Sequence, residues 1–144
     1  MTSEYERASI ALRQEVAQRA QHRCEYCRCP DAFSTDSFTV DHIKPRKLGG
    51  ATIAENLAWA CSGCNGRKYI RTVYLDPETG EEIALFNPRK QNWTEHFNWS
   101  EDLTQLIGQT PCGRATIEAL ALNRPGVVNL RQLLLLAGLH PPDE

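Results

Sequence analysis

Two pairs of cysteines constrain this chain more than any other feature of its sequence. Cys24 pairs with Cys27 and Cys61 pairs with Cys64, each with two residues between them, and 33 residues separate the pairs. Two thiolates at this spacing can reach one metal ion, and two such pairs supply the four thiolates of a typical structural zinc site. The pattern therefore predicts a Cys₄ zinc clamp that joins two distant stretches of the chain.

The six cysteines also allow other arrangements. Disulfide bonds would require an oxidising compartment, which nothing else in the sequence suggests. Cys29 could replace Cys27 as a ligand, although the symmetric pairing is simpler. Cys112 lies far from both pairs and is interpreted as a small buried thiol. Because four thiolates leave no open position for water, a reaction at this site would need a second ion.

Length and composition indicate a single domain spanning residues 1–144. The chain is 41% hydrophobic and 24% charged, and its apolar runs fall far short of the ~20 residues that a membrane helix needs. The first seven residues are polar and carry no apolar signal-peptide core. We therefore expect a cytoplasmic protein with no membrane association and no obligate protein partner.

The charge is unevenly distributed along the chain. The formal net charge is −2, yet residues 41–71 contain six basic and two acidic side chains, a local balance of +4. Residues 76–102 reverse this, with two basic and seven acidic side chains. A local basic face can bind nucleic acid even when the whole protein is slightly acidic.

The hydrophobic pattern predicts an α+β fold. Helices are expected at residues 4–22, from Asn65 to about Tyr69, from Pro111 with Thr110 as N-cap, and at about 127–137 with Gly138 as a C-terminal cap. A short strand is expected at 37–43 and a turn or helical segment at 53–59. Two hairpins are expected, at 73–86 and 96–108.

Four polar residues between and beside the cysteine pairs are candidates for chemistry: Asp41, His42, Asn56 and Asn65. Asp41 and His42 point to opposite sides of a regular strand, so each can serve a different atom. Asn65 directly follows a clamp cysteine, which fixes its position. Carboxylate and amide oxygens suit Mg²⁺ or Mn²⁺, and a neutral imidazole can accept a proton from water near pH 7.

Taken together, these residues resemble the HNH nuclease motif. The resemblance is carried by the run CEYC, VDHIKP, GG, ENL and CSGCN-x2-K, which extends over residues 24–68. It implies the ββα-metal fold in its zinc-stapled form, with a motif core at 24–70. Residues 71–144 would add hairpins and C-terminal helices, and the stretch 86–116 is similar to small stand-alone bacterial HNH proteins.

The resemblance also implies a function, that of a metal-dependent endonuclease acting on DNA. His42 would be the general base, Asp41 and Asn65 would bind a catalytic Mg²⁺ or Mn²⁺, and zinc would be structural. Asn56 would hold the loop opposite the strand and orient His42. Phosphates would be neutralised by four basic residues: Lys44, Arg46, Arg67 and Lys68. Histidine-rich members of the family have histidines where Asp41 and Asn65 stand, so this chain favours a hard ion. The products would carry 5′-phosphate and 3′-hydroxyl ends.

A second reading from another functional class is a zinc-stapled nucleic-acid-binding module without catalysis. The two readings differ in whether His42 matters for function, because a binding module has no need of a general base. Trp93 and Trp99 fit either the core of the second hairpin or a base-stacking surface. The choice between DNA and RNA as substrate also stays open at this level.

Overall fold

A computed structural model describes residues 8–143 of the chain. Within this range it has five α-helices: α1 Ile10–Arg19, α2 Ser62–Lys68, α3 Trp93–His96, α4 Pro111–Leu120 and α5 Pro125–Leu136. It has six strands: β1 Thr39–His42, β2 Leu57–Ala60, β3 Val73–Leu75, β4 Glu82–Ala84, β5 Phe97–Trp99 and β6 Leu106–Gly108. The predicted α+β class is confirmed. Residues 4–7 of the predicted first helix lie outside the described range. None of the helices in the described range combines the length and apolarity of a membrane span.

Strands β1 and β2 form an antiparallel hairpin that carries the candidate residues. Asp41 pairs with Ala58 and His42 pairs with Leu57, so Asp41 and His42 lie on opposite faces, as predicted. The prediction of a turn or helical segment at 53–59 was wrong for its second half, where β2 begins. All four residues of β2 are buried or half-buried, so the strand lacks the polar alternation that would have revealed it.

Helix α1 covers one face of this hairpin. Its N-cap Ser9 accepts a hydrogen bond from the Leu12 amide at 3.1 Å, which satisfies one of the free amides of the first turn. Val16 packs against Leu57, and both are fully buried. At the other end, Arg19 donates to the Leu57 carbonyl oxygen at 2.6 Å. The helix therefore supports the zinc module, as the sequence indicated.

Helix α2 starts inside the second cysteine pair, three residues earlier than predicted. The Cys61 sulfur acts as its N-cap and accepts from the Cys64 amide at 3.4 Å. Sequence rules favour oxygen side chains as N-caps, so they missed a start provided by a thiol. The helix buries Cys64 and Lys68 and leaves Asn65 half-exposed.

The C-terminal half forms the predicted hairpins and helices. Strands β3 and β4 pair across the acidic turn, and β5 pairs with β6. Thr110 caps α4 by accepting from the Gly113 amide at 3.0 Å, with Pro111 at the first helical position. Gly138 follows α5 with a φ of 75°, a left-handed conformation that favours glycine.

Arg131 of α5 joins this half to the zinc module. Its guanidinium is fully buried and donates to the carbonyl oxygens of Cys27 at 3.3 Å and Leu122 at 2.8 Å. It also lies 5.1 Å from the Trp99 ring centroid, an arrangement favourable for a cation. Trp93 and Phe97 are buried, and the Trp93 ring lies 5.6 Å from that of Trp99, so the second hairpin contributes to the core.

Candidate active site and metal clamp

The four predicted ligands form one buried cluster. The sulfur atoms of Cys24, Cys27, Cys61 and Cys64 all lie within 4.8 Å of one another, and those of Cys27 and Cys61 are 3.8 Å apart. A tetrahedral zinc ion with Zn–S bonds of about 2.3 Å requires sulfurs about 3.8 Å apart. The cluster therefore fits a structural zinc ion, and Cys27 rather than Cys29 is the fourth member. All six cysteines are unbridged, so the disulfide alternative has no support.

Hydrogen-bond donors surround the clamp sulfurs. The Cys27 amide lies 3.5 Å from the Cys24 sulfur, and the Arg124 guanidinium lies 3.5 Å from Cys61 and 3.6 Å from Cys64. A zinc ion with four thiolates carries a net charge of −2, and these donors partly offset it. Arg124 lies 60 residues from Cys64 in the chain, so the cysteine spacing gave no indication of its role.

The Asp41 carboxylate is buried and contacts two donors. It accepts a hydrogen bond from the Tyr26 hydroxyl at 2.7 Å and forms an ion pair with the Lys68 ammonium at 3.2 Å. Burial raises the pKa of Asp41, and the charge of Lys68 and the hydrogen bonds oppose that rise. Tyr26 stands between Cys24 and Cys27, so its hydroxyl links the carboxylate directly to the clamp.

Lys68 does not occupy the surface position that the sequence suggested. Its side chain is only 2% exposed, and besides Asp41 its ammonium donates to the carbonyl oxygens of His42 and Ile43, both at 3.2 Å. This burial speaks against a direct phosphate contact. The ammonium instead neutralises Asp41 and fixes the end of β1.

His42 is half-buried at the end of β1. Its Nε2 lies 2.9 Å from the Thr52 hydroxyl, a partner that the motif did not indicate. Burial, followed by the positive charges of Arg46 and Lys68, lowers the pKa of His42 below the ordinary value of 6.5. The ring is therefore neutral at pH 7, which is the form that can accept a proton.

Asn56 holds the loop between β1 and β2. Its Oδ1 accepts from the Lys44 amide at 2.9 Å, and its Nδ2 donates to the carbonyl oxygens of Lys44 at 3.1 Å and Ala51 at 2.9 Å. A Cβ on Gly50 would lie 1.7 Å from the Lys44 carbonyl oxygen, so only glycine allows this close approach. These contacts form the loop-holding bonds that the resemblance implies, and they involve the backbone rather than the His42 ring.

Three of the four candidates line one cavity. Asp41, His42 and Asn65 border a cavity of about 240 Å³ whose rim includes Arg46 and Tyr69. Asn56 lies outside this lining. Of the other predicted phosphate-binding residues, Lys44 and Arg67 are exposed. A larger cavity, of about 530 Å³, lies along α1, and none of the predicted site residues lines it.

The comparison with protein families agrees with this arrangement. The family model for HNH endonucleases matches residues 24–71. This HNH segment covers a third of the chain and contains every residue predicted for the clamp and the active site. Neither the comparison with curated proteins nor that with solved structures gave a match. The predicted family resemblance is therefore confirmed for the segment, which is a nuclease-family domain built around a four-cysteine cluster.

The Tyr26 hydroxyl gives a prediction about stability. We expect Tyr26→Phe to lower the free energy of unfolding by about 1–3 kcal/mol, because the buried Asp41 carboxylate loses a donor that water cannot replace. Urea unfolding of zinc-loaded protein measures this change. Tyr69→Phe is the matched control, since that ring is 62% exposed and loss of its hydroxyl should change stability by less than about 0.5 kcal/mol. Equal effects in the two variants would contradict the importance of the Tyr26–Asp41 bond.

Proposed function

We propose that this protein is a metal-dependent endonuclease that hydrolyses phosphodiester bonds in DNA. The observation that carries the proposal is the shared cavity of Asp41, His42 and Asn65 within the HNH segment. These residues offer a base and two oxygen ligands, which is the minimum set for hydrolysis assisted by one divalent ion. The closed Cys₄ clamp keeps its zinc ion in a structural role.

His42 acts as the general base. For Nδ1 to accept a proton, Nε2 must carry the hydrogen of the neutral ring and donate it to Thr52 Oγ1, 2.9 Å away. Thr52 thus holds the orientation of the ring, and its hydroxyl can accept from Nε2–H in the tautomer that leaves Nδ1 free to take a proton. Nδ1 takes a proton from water, the resulting hydroxide forms a bond to the phosphorus, and the P–O3′ bond breaks so that the 3′-oxygen leaves and takes up a proton.

Asp41 and Asn65 hold the catalytic ion. Their carboxylate and amide oxygens form a hard donor set that fits Mg²⁺ or Mn²⁺. The ion, when bound, supplies Lewis-acid stabilisation of the negative charge that develops on the phosphate. Lys68 and Tyr26 keep the Asp41 carboxylate in one orientation, because both donors are themselves buried. Asn65 is held by the helix that begins at the clamp.

The phosphate backbone is bound by the basic residues around the cavity. Lys44 and Arg67 are exposed, and Arg46 lines the cavity itself. These side chains can offset the negative charge of the phosphates. The acidic residues of the β3–β4 turn belong to a different part of the sequence. Lys68 contributes indirectly in this scheme, through Asp41.

The test is a digestion of plasmid, linear, single-stranded and RNA substrates with zinc-loaded protein in Mg²⁺ or Mn²⁺. We expect DNA cleavage in the wild type and none above background in His42→Ala. The products should carry 5′-phosphate ends, which ligation or end-labelling detects. If the metal-loaded protein binds DNA and never cuts it under any of these conditions, the proposal fails.

The pH dependence of cleavage tests the environment of His42. Burial and, after it, the charge of Arg46 lower the pKa of His42, so the variant Arg46→Ala should raise that pKa in part, and the acid limb of kcat/KM should move to higher pH. Cleavage in the wild type should persist below pH 6.5 and fall only as His42 protonates. Lys47→Ala is the control, since it removes a nearby exposed charge that does not act on His42 in this way. An unchanged acid limb in Arg46→Ala would contradict this role.

One observation favours the non-catalytic alternative, in which the segment only binds nucleic acid. Asp41 is already paired with Lys68 at 3.2 Å, and the same ion pair is expected if Asp41 only stabilises the fold. That alternative predicts gel-shift binding that is independent of divalent ions and unchanged in His42→Ala.

A further inference from the structure

Tyr69 is an exposed aromatic residue at the rim of the candidate active site. Its side chain is 62% exposed. It lines the same cavity as Asp41, His42 and Asn65. Its amide donates to the Asn65 carbonyl oxygen at 2.9 Å, so the ring follows the proposed metal ligand by one helical turn.

The backbone of Tyr69 is strained. Its φ of 48° and ψ of −115° lie in a region that glycine enters freely and other residues rarely adopt. Strained residues persist where the surroundings hold them, and they cluster at functional sites. Here the conformation ends α2 and turns the ring out of the helix, beside the cavity instead of into the core.

One cation lies over the ring, and two arginines are close to Tyr69 in the chain. The Lys47 ammonium lies 5.8 Å from the ring centroid, and Arg67 and Arg71 lie on the same short stretch, where Arg71 donates to the Arg67 carbonyl oxygen at 2.5 Å. Ile70 beside it is also exposed, by 38%. An exposed ring with a lysine beside it and two arginines near it in the chain matches the chemistry of a nucleobase joined to a phosphate chain.

We propose that Tyr69 stacks on an unpaired nucleobase next to the scissile phosphate, and that the protein prefers DNA with unpaired bases at the cut site. This inference rests on the proposed function. One helical turn is about 5.4 Å, and nucleotides in one strand are spaced by about 3.4 Å along a duplex. Because Tyr69 follows Asn65 by one helical turn and lines the same cavity, the stacked base lies close to the bond that is cut.

The preference for unpaired bases follows from the same geometry. A ring can stack on a base only if one face of that base is free, and in an intact duplex both faces are covered by neighbouring bases. Extraction of a paired base has a cost that a bubble, a flap or a single strand avoids. Phosphate contacts alone would not distinguish these forms so strongly.

The test compares binding of two duplexes of equal length, one fully paired and one with a short central run of mismatches. Fluorescence anisotropy is measured in the His42→Ala background, which keeps the DNA intact. We expect Tyr69→Ala to weaken binding of the mismatched duplex roughly tenfold or more and to leave binding of the paired duplex within about twofold. Tyr69→Phe, which keeps the ring, should bind both duplexes as the parent does.

Two further variants separate stacking from a structural role. Phe33→Ala removes another exposed ring, at 52% exposure, that lines a different cavity, and it should not change binding of either duplex. Tyr69→Gly should melt at a higher temperature than Tyr69→Ala, because glycine relieves the backbone strain, while binding the mismatched duplex equally weakly. Equal losses on both duplexes, or no loss in Tyr69→Ala, would overturn the proposal.

The outcomes also separate this inference from the proposed function. If the wild type cuts DNA and Tyr69→Ala binds the mismatched duplex normally, stacking is refuted and the nuclease stands. If Tyr69 is required for binding and the wild type never cuts, stacking stands and catalysis is refuted. If the wild type binds neither duplex, both are refuted.

Discussion

His42→Ala is expected to lower the rate of DNA cleavage by about 10²–10⁴-fold, the range typical for loss of a positioned general base. The half-buried ring contacts the Thr52 hydroxyl, and its burial holds its pKa below 6.5. Alanine removes the proton acceptor and leaves the proposed ion ligands Asp41 and Asn65 unchanged. Single-turnover cleavage of a labelled duplex measures the chemical step directly.

His22→Ala provides the matched control for this variant. His22 is an exposed histidine outside the HNH segment, and its Nδ1 lies 3.0 Å from Asp31. We expect His22→Ala to cleave at the wild-type rate. DNA affinity and zinc content should match the wild type in both variants, so that a slow rate reports chemistry. A rate within threefold of wild type in His42→Ala would contradict the assignment of the base.

Loss of the clamp is expected to have the largest effect on stability. We expect Cys64→Ser to lose zinc and to unfold the HNH segment, because structural zinc contributes about 10–16 kcal/mol and a domain has only about 5–15 kcal/mol of net stability. Cys64 is fully buried and its sulfur lies beside the Arg124 guanidinium. Without the zinc ion, the four clamp thiolates repel one another, and the Arg124 guanidinium alone cannot balance their negative charge.

Metal analysis and far-ultraviolet circular dichroism measure this effect. The wild type should contain one zinc ion per chain, and Cys64→Ser should contain none and show reduced helix content. Cys112→Ala is the control, since this cysteine is buried outside the clamp and its variant should keep zinc. A Cys64→Ser variant with native zinc content and a native melting temperature would refute the clamp.

Much of the architecture could be predicted because it depends on patterns of a few neighbouring residues. The cysteine spacing predicted the clamp, and Thr110 followed by Pro111 predicted the start of α4. The apolar runs on either side of polar turns predicted both hairpins. These signals work because caps, turns and ligand pairs act over a few residues.

Contacts between distant parts of the chain could not be predicted. Arg124 and Arg131 reach the clamp segments from 60 or more residues away, and nothing near them in the sequence marks them as internal cations. The family resemblance assigns Lys68 to phosphate binding, which requires an exposed side chain, and lysine is rarely buried. Its burial depends on Asp41, 27 residues earlier, and only the fold brings the two together.

Through Lys68 and Tyr26, Asp41 is connected to both cysteine pairs of the clamp. The same carboxylate is tied to the first cysteine pair through Tyr26 and to the second through helix α2. Asn65 directly follows Cys64 in that helix. Both proposed ligands of the catalytic ion are therefore positioned by chain segments that carry the clamp cysteines.

The central claim is that a structural zinc ion and a separate catalytic ion have different roles. The most direct test measures how DNA cleavage depends on added Mg²⁺ or Mn²⁺ in protein that already contains one zinc ion per chain. Mg²⁺ or Mn²⁺ is titrated into such protein while zinc content is followed in parallel. We expect no cleavage before the addition, saturable cleavage after it, and a zinc content that stays at one throughout. Cleavage at full rate with zinc alone, or no cleavage at any Mg²⁺ or Mn²⁺ concentration, would contradict a structural clamp serving a separate catalytic ion.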